Sequence, residues 1–288
     1  MKAIAFAPGH ISGFFEPVYN ADIEKTGSRG AGINVNLGAI SDVRINDSKN
    51  QVFEFYLNNK KLDFPVLYLA MKNMLGKNPV NVQVKTHLDL PLGQGFGMSA
   101  AIAVSATYAL AKIIKVSYAD AMKASHYAEV QLKTGLGDVI ACCFGGIEIR
   151  RQPGIPPWGV IEHIPGMYDL VLCVVDKKMD TKKILSDTES IKTVINCGRD
   201  CTRTLLKFPT VENLFTISQF FTKKTNLASK RVIEAIDVAN EFGMASMCML
   251  GNSIFAMGQT NKLCTKLKSF GKVFLCSTDK KGARIVND

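Results

Sequence analysis

Residues 91–101, Pro91-Leu92-Gly93-Gln94-Gly95-Phe96-Gly97-Met98-Ser99-Ala100-Ala101, decide the fold and point to its chemistry. Three glycines alternate with other residues, and a serine then begins a run of small and apolar residues. A strand pattern at Val80–Leu88 precedes this stretch, and an alanine-rich helix pattern at 99–114 follows it. A glycine-rich loop that leads into a helix can direct several backbone N–H groups at one anion, which the helix dipole also favours. The stretch therefore predicts a phosphate-binding loop.

The composition is that of an ordinary globular protein. Of its 288 residues, 47% are hydrophobic and 21% are charged. This length is enough for one large domain or two smaller ones. No run of about 18 uncharged apolar residues occurs, and the apolar run at the N-terminus is too short for a signal peptide. The eight cysteines lack the spacing of zinc sites. We therefore expect no membrane partner, free thiols and a cytoplasmic location.

The positive charge is spread along the chain. The formal net charge of +10 comes from 35 basic and 25 acidic residues, and no run of five basic residues occurs. Basic pairs such as Lys177-Lys178 and Lys280-Lys281 are typical of solvated surfaces. We therefore expect no nucleic-acid partner, and the positive surface is suited to anionic small molecules.

The order of segments predicts two halves that each combine a sheet with helices, an α+β fold class. In the first half we expect strands at 2–7, 32–37, 51–57, 80–88 and 147–150, and helices at 66–74, 99–114 and 117–133. In the second half we expect strands at 170–175, 246–250, 253–257 and 273–276, with helices dominating 182–242.

One segment is the best candidate for a domain boundary. Residues 152–158, Gln-Pro-Gly-Ile-Pro-Pro-Trp, contain three prolines and one glycine. We therefore predict an N-terminal domain of residues 1–155, which carries the glycine-rich loop, and a C-terminal domain of residues 156–288.

The loop does not match the two common phosphate-binding motifs. A P-loop ends in Gly-Lys-Ser/Thr, and the dinucleotide fingerprint requires a βαβ unit with an acidic residue further along. The string Pro-x-x-x-Gly-x-Gly-x-Ser-Ala-Ala instead resembles the ATP-binding motif of the GHMP kinases (galactokinase, homoserine kinase, mevalonate kinase and phosphomevalonate kinase). Met98 departs from the usual family form, which has a serine at that position.

Further stretches support the resemblance along nearly the whole chain. Residues 7–16, Ala-Pro-Gly-His-Ile-Ser-Gly-Phe-Phe-Glu, are similar to the first motif of the family, with His10 in place of the usual lysine or arginine. Residues 249–253, Met-Leu-Gly-Asn-Ser, lie where the third motif belongs and keep one glycine. Together with 28–32 and 134–138, these stretches resemble the archaeal pantoate kinase branch, which phosphorylates pantoate with ATP on the route to coenzyme A.

This resemblance implies a two-domain GHMP kinase fold with the active site in the cleft between the domains. ATP and Mg²⁺ would be the cofactors, and a small hydroxy acid would be the acceptor. The assembly that we consider is a homodimer. The loop would bind the nucleotide through Pro91, Gly93, Gln94, Gly95, Phe96, Gly97, Met98, Ser99 and Ala100.

The resemblance also implies the groups that handle the metal and the proton. Ser99 and Glu129 match the family's metal ligands, and their hard oxygen atoms suit Mg²⁺. Asp138 matches the aspartate that accepts or orients the acceptor hydroxyl, where a weak base suffices because proton loss is late. Structural alternatives stay open: Ser99 as a helix N-cap, Glu129 on a solvated helix face, and Asp138 as a cap of the next helix.

The acceptor site rests on shorter stretches. Arg29 is the candidate for the acceptor carboxylate, because a guanidinium can bind it through two hydrogen bonds. The other candidate substrate-binding residues are Ser28, Gly30, His10, Glu16 and Asn252. Homoserine, shikimate and mevalonate stay open as acceptors, as does a catalytically inactive relative that binds a ligand.

Overall fold

Two β-sheets form the framework of the computed structural model, which describes residues 1–178 and 188–286. The strands are β1 (Lys2–Val18), β2 (Gly27–Asp47), β3 (Val52–Leu57), β4 (Lys60–Lys61), β5 (Val80–Leu88), β6 (Ile147–Gln152), β7 (Val160–Ile164), β8 (Asp169–Val174), β9 (Gly243–Met247), β10 (Ser253–Gly258), β11 (Lys272–Ser277) and β12 (Arg284–Ile285). The helices are α1 (Pro65–Leu75), α2 (Met98–Ile114), α3 (Tyr118–Leu132), α4 (Asp138–Phe144), α5 (Thr188–Lys207), α6 (Val211–Thr225), α7 (Lys230–Asn240) and α8 (Thr260–Leu267).

The first sheet carries the glycine-rich loop. Its strand order is β12-β1-β2-β5-β3-β4, and β6 and β7 extend it from β2. Its pairs are antiparallel except β3–β5, which is parallel. Helix α2 packs against β1 and β2 and is surrounded by α1, α3 and α4, which its many alanines allow to approach closely. The start of α2 is thereby held beside the middle of β1.

The first strand is longer than the sequence predicts. We expected a strand at 2–7 that ends at Pro8-Gly9, and this end is wrong because β1 continues to Val18. Its register with β2 shifts between Pro8 and Gly9, and again between Ser12 and Phe14. Such bulges accommodate a proline, whose missing N–H then needs no partner in the ladder. The first motif therefore lies within the sheet and not in a loop.

The predicted helices of the first half are confirmed to within about one residue. Helix α2 begins at Met98, and α3 begins after Ser117, which caps it as predicted. The hydroxyl of Ser117 accepts a hydrogen bond from the N–H of Asp120, and the Asp120 carboxylate accepts one from the N–H of Ser117. This capping box defines where α3 starts.

The second sheet has the antiparallel order β11-β8-β10-β9. Its four strands confirm the predicted ones, although β9 begins and ends three residues earlier than expected. Helices α5, α6 and α7 account for most of the predicted helical stretch, and its part at 182–187 lies outside the described residues. Helices α5 and α6 also pack against β1, so this half reaches the first motif.

The α+β fold class is confirmed. The division at 155/156 stays a prediction, and two observations bear on it: β7 pairs with β6 and extends the first sheet to Ile164, and buried residues of both sheets form one continuous cluster. Among the helices of residues 1–178 and 188–286, none has the length and apolar character needed to cross a bilayer.

Candidate functional site

The glycine-rich loop is tightly packed between β1 and the turn after β9. Gly93, Gly95 and Gly97 all have positive φ, at 74°, 74° and 61°. A Cβ on Gly95 would lie 2.8 Å from the carbonyl oxygens of Cys248 and Met249. These positions therefore require glycine for both conformation and space. The loop ends at Gly97, the N-cap of α2, where the first N–H groups of the helix have no intrahelical partner.

Several predicted nucleotide-binding residues have side chains that point into the core. Phe96, Met98 and Ala100 are buried, so they offer the loop only their backbone groups. The carbonyl of Phe96 accepts a hydrogen bond of 3.0 Å from the N–H of His10. The loop and the first motif are thereby fastened to each other.

Ser99 and Glu129 meet at the start of α2. The Ser99 hydroxyl donates a hydrogen bond of 2.6 Å to Oε1 of Glu129, whose side chain is buried. Burial raises the pKa of Glu129 to about 7, and nearby Asp138 adds to the shift. A solvated Glu129 is thus wrong, and Gly97, not Ser99, is the N-cap. A hydroxyl beside a carboxylate is a set of hard oxygen donors, which fits Mg²⁺.

His10 connects two carboxylates. Its Nδ1 lies 2.7 Å from Oδ1 of Asp138, the first residue of α4, and its Nε2 lies 2.8 Å from Oε1 of Glu148 on β6. His10 and Glu148 have no exposed surface, whereas 35% of the Asp138 side chain is exposed. Burial opposes charging of His10, but its hydrogen bonds to both carboxylates outweigh that effect and raise its pKa. Burial likewise opposes ionisation of Asp138, yet the bond from His10 holds its pKa below the usual range.

Arg150 is a site residue that the sequence analysis missed. It is buried on β6, and its Nη1 donates to Oε1 of Glu148. Its Nε is buried without a hydrogen-bond partner among the described residues. A Cβ on Gly137 would meet the Ser28 hydroxyl and lie 2.8 Å from this Nε. Ser28 and Arg150 therefore face each other across Gly137, immediately before Asp138.

The sequence carries a signal for Glu148 and Arg150, but that signal fits two kinds of strand. Glu148 and Arg150 alternate with isoleucines in the predicted strand 147–150, which is typical of a strand with one solvated face. In the structure both faces are covered, and the charged residues pair with each other.

Arg29 has a different partner from the expected one. Its Nε and Nη2 donate to the two oxygens of Glu16, at 2.7 and 2.9 Å, so the predicted bidentate bond is made within the protein. Arg199 of α5 donates a third hydrogen bond to Glu16 at 3.1 Å. Glu16 is buried, whereas the two arginines are partly exposed. At Gly30, with φ of 146°, a Cβ would lie 3.0 Å from Nη2 of Arg150.

Asn252 and Gln94 hold the end of the second sheet against the loop. The amide of Asn252 donates to the carbonyl of Lys177 at 2.8 Å, and that of Gln94 donates to the carbonyl of Asp176 at 3.0 Å. The stem of Lys178 covers Gly93, with its Cβ 3.2 Å from where a Cβ on that glycine would lie. The third motif thus contacts the loop through this segment, which we call the 176–178 strap.

The arrangement can position a phosphate, a divalent cation and an acceptor hydroxyl near one another.

Residues 65–146 match the family model described as GHMP kinases N terminal domain. The chain is 31% identical to the pantoate kinase of Methanocaldococcus jannaschii over 276 residues, which covers 94% of this chain and 98% of that protein. It is 32% identical to the pantoate kinase of Thermococcus kodakarensis over 263 residues, covering 88% and 86%. A solved structure described as a phosphotransferase related to the CoA biosynthesis pathway superposes with a TM-score of 0.90 at 28% identity, covering 99% of each chain.

Proposed function

The chain belongs to the GHMP kinase family, with the archaeal pantoate kinases among its relatives, and we propose that it transfers the γ-phosphate of ATP to the C4 hydroxyl of pantoate. The product, 4-phosphopantoate, belongs to the route to coenzyme A. The observation that carries this proposal is the similarity to pantoate kinases over nearly the full length of both chains.

We assign binding of the ATP phosphates to the loop at residues 93–99. Its glycines leave room for close approach, and the free N–H groups at the start of α2 suit an anion. Phosphoryl transfer needs alignment and charge neutralisation more than covalent chemistry. A loop held by β1 and by the turn after β9 is well suited to that work.

We assign Mg²⁺ to Ser99 and Glu129. The fit rests on two oxygen donors 2.6 Å apart, one of them a buried carboxylate that has no cationic partner among the side chains that the structure describes. When bound, the ion would neutralise charge on the transferring phosphate. The same charge would lower the pKa of Glu129 and keep it ionised.

We assign Asp138 as the group that accepts a hydrogen bond from the acceptor hydroxyl. Its carboxylate is ionised and partly exposed, as this role requires. For the carboxylate of pantoate we favour Arg150 and Ser28, because the Nε of Arg150 is a buried donor that no described residue pairs with. Arg29 remains the second candidate, since its fork already binds Glu16.

The proposal also covers the cellular location, the domain division, the assembly and the remaining substrate-site residues. The eight cysteines are all free thiols, which supports a reducing, cytoplasmic location. The division into domains of 1–155 and 156–288, and a homodimer as the assembly, stay predictions. Glu16, Gly30 and Asn252 are retained as predicted substrate-site residues, with the contacts described above. His10, which we also predicted at this site, is buried with both ring nitrogens facing carboxylates, so it acts through Asp138.

A coupled assay of ADP release tests the function. We expect turnover with pantoate and Mg²⁺·ATP, and little with homoserine, shikimate or mevalonate. Phosphorus NMR of the product should show one phosphate ester at C4. Turnover of mevalonate or homoserine without turnover of pantoate would refute the acceptor, and no turnover with any of the four would favour an inactive relative.

A further inference from the structure

The two ring nitrogens of His10 both face carboxylate oxygens. The Nδ1–Asp138 distance is 2.7 Å and the Nε2–Glu148 distance is 2.8 Å. An ionised carboxylate only accepts hydrogen bonds, and a neutral imidazole has a single N–H to donate. Both contacts can be hydrogen bonds at once only when His10 is an imidazolium with a proton on each nitrogen.

The charges of the surrounding cluster balance only with that protonation state. His10 and Arg150 would each carry a positive charge, and Asp138 and Glu148 a negative one. Glu148 accepts from both cations through the same oxygen, Oε1, and this shared acceptor brings Nη1 of Arg150 to 3.3 Å from Nε2 of His10. A neutral His10 would leave an excess negative charge in a buried cluster, which is costly.

Groups on the neighbouring elements do not change this balance. Glu129 on α3 faces Asp138 but has a pKa raised to about 7, and burial keeps the thiol of Cys142 on α4 neutral. His163 on β7 pairs in register with Glu148, and its Nε2 contacts the carbonyl of Gly145. The glycine-rich loop before α2 contributes the carbonyl of Phe96, which accepts from the His10 backbone.

The backbone around His10 is built to allow this contact. The register shift between Pro8 and Gly9 precedes it, and the residue opposite Ser12 is Gly32, which also pairs with Glu148. A Cβ on Gly32 would run into Nε2 of His10 and lie 3.0 Å from Oε1 of Glu148. Gly32 does not have a positive φ, so it is needed here for space alone.

We propose that Glu148 and His10 are a positioning pair for Asp138: Glu148 holds the imidazolium of His10, and the imidazolium orients Asp138 and keeps it ionised toward the acceptor hydroxyl. A lysine in place of His10 could supply the charge to Asp138. An imidazolium differs from the flexible side chain of a lysine because its planar ring fixes the direction of that charge through the second bond to Glu148. This inference rests on the proposed function.

The test compares His10→Gln, His10→Lys and Glu148→Gln with wild type over a range of pH. A nearby opposite charge lowers the pKa of a carboxyl group by about 1–3 units. In His10→Gln we therefore expect the acidic limb of kcat/KM for pantoate to move up by about one pH unit or more, with kcat about 10- to 100-fold lower. His10→Lys should restore the acidic limb but only part of kcat, and Glu148→Gln should fall between wild type and His10→Gln.

A matched control and a second measurement keep the test independent of folding and of substrate. His87→Gln removes an exposed histidine whose Nε2 lies 3.6 Å from Asp89, and it should leave the profile unchanged. Nitrogen NMR of labelled wild type at pH 7, assigned by comparison with His10→Gln, should show both ring nitrogens of His10 protonated. Gly32→Ala, which inserts a methyl group into the pair, should lower kcat more than it raises KM for pantoate.

Two results would overturn the inference. One is an active wild type with an unchanged acidic limb in His10→Gln, and the other is a neutral His10 by NMR. A wild type that phosphorylates none of the four acids would refute the proposed function and this inference with it. An active wild type with an unchanged His10→Gln profile would refute the inference alone.

Discussion

The hydroxyl of Ser99 donates a hydrogen bond of 2.6 Å to the buried carboxylate of Glu129, which joins the start of α2 to the last turn of α3. Neither residue has a basic side chain as partner in its described contacts. Such a carboxylate is costly to keep ionised until a cation binds it. Binding of the proposed Mg²⁺ at this pair should therefore stabilise the fold.

Glu129→Gln should stabilise the metal-free protein at alkaline pH. The pKa of Glu129 rises from its ordinary value of 4.5 to about 7 in the fold, so the protonated form is favoured in the native state. Such a group weakens the fold as pH rises through this interval, by about 3 kcal/mol at most. In urea unfolding without Mg²⁺, Glu129→Gln should have a higher free energy of unfolding than wild type at pH 8. The difference should disappear near pH 4.5.

Glu24→Gln is the control of opposite sign. Its carboxylate accepts from Lys123 and Tyr127, which lower its pKa, so its removal should slightly weaken the fold at pH 8. A Glu129→Gln variant that is less stable than wild type at pH 8 would contradict the raised pKa of Glu129.

Ser99→Ala should raise the Mg²⁺ concentration needed for half-maximal activity. The substitution removes one of the two assigned oxygen donors and also the hydrogen bond to the Glu129 carboxylate, which is worth about 1.5–3 kcal/mol as a bond to a charged group. Titration of activity with Mg²⁺ measures the effect, and Ser99→Thr, which keeps the hydroxyl, should lie close to wild type. Equal metal requirements for the alanine and threonine variants would place the metal elsewhere.

Arg150→Lys should raise KM for pantoate about 10- to 100-fold, with KM for ATP nearly unchanged. Lysine keeps a positive charge beside Glu148 but lacks the planar fork that offers Nε to a carboxylate. Arg29→Lys is the comparison, because the two variants separate the two candidate carboxylate ligands. If Arg29→Lys shows the larger rise in KM for pantoate, the order of the candidates is reversed.

Gly95→Ala should reduce both stability and ATP affinity. The added methyl group would press on two backbone carbonyls 2.8 Å away, which cannot rotate aside. Gly76→Ala is a matched control, since Gly76 also has a positive φ, of 59°, but nothing lies within 4 Å of its Cβ position. With φ 59° and ψ −125°, the control should lose about 1–3 kcal/mol from backbone strain alone, with unchanged ATP affinity by calorimetry. Equal losses of stability in both variants would show that packing of the loop is unimportant.

Asn252→Ala should raise KM for ATP and not KM for pantoate. Asn252 donates to the carbonyl of Lys177 and so helps to hold the 176–178 strap against the glycine-rich loop. Steady-state kinetics with each substrate varied in turn separates the two effects. A rise confined to KM for pantoate would instead support the acceptor-site role that we predicted from the sequence.

The elements that follow local rules could be predicted from the sequence. The capping residue Ser117, the alternation in β5 and the alanine-rich run of α2 each carry their own signal, and their bounds agree with the structure to about one residue. The end of β1 could not be predicted in this way. Pro8 and Gly9 ordinarily stop a strand, and only the register shift against β2 carries the chain through them.

The same distinction applies to the site. The glycine spacing and Ser99 predicted a phosphate-binding loop, and the resemblance to the GHMP kinases added Glu129 and Asp138 as its predicted acidic partners. Glu148 and Arg150 escaped notice because an alternating charged strand usually faces water. Only the pairing of β6 with β2 and its packing against α5 place those side chains in the interior.

The sequence by itself determined the family, the α+β fold class and the way in which a phosphate can be held, since turn geometry and helix starts are local properties. The tertiary structure decided how the ionisable groups are paired. His10 lies 128 residues from Asp138 and 138 from Glu148, and Glu16 lies 183 residues from Arg199. The charge state of a buried group depends on the partners and solvent that the fold assigns to it, and neither is encoded in its neighbours along the chain.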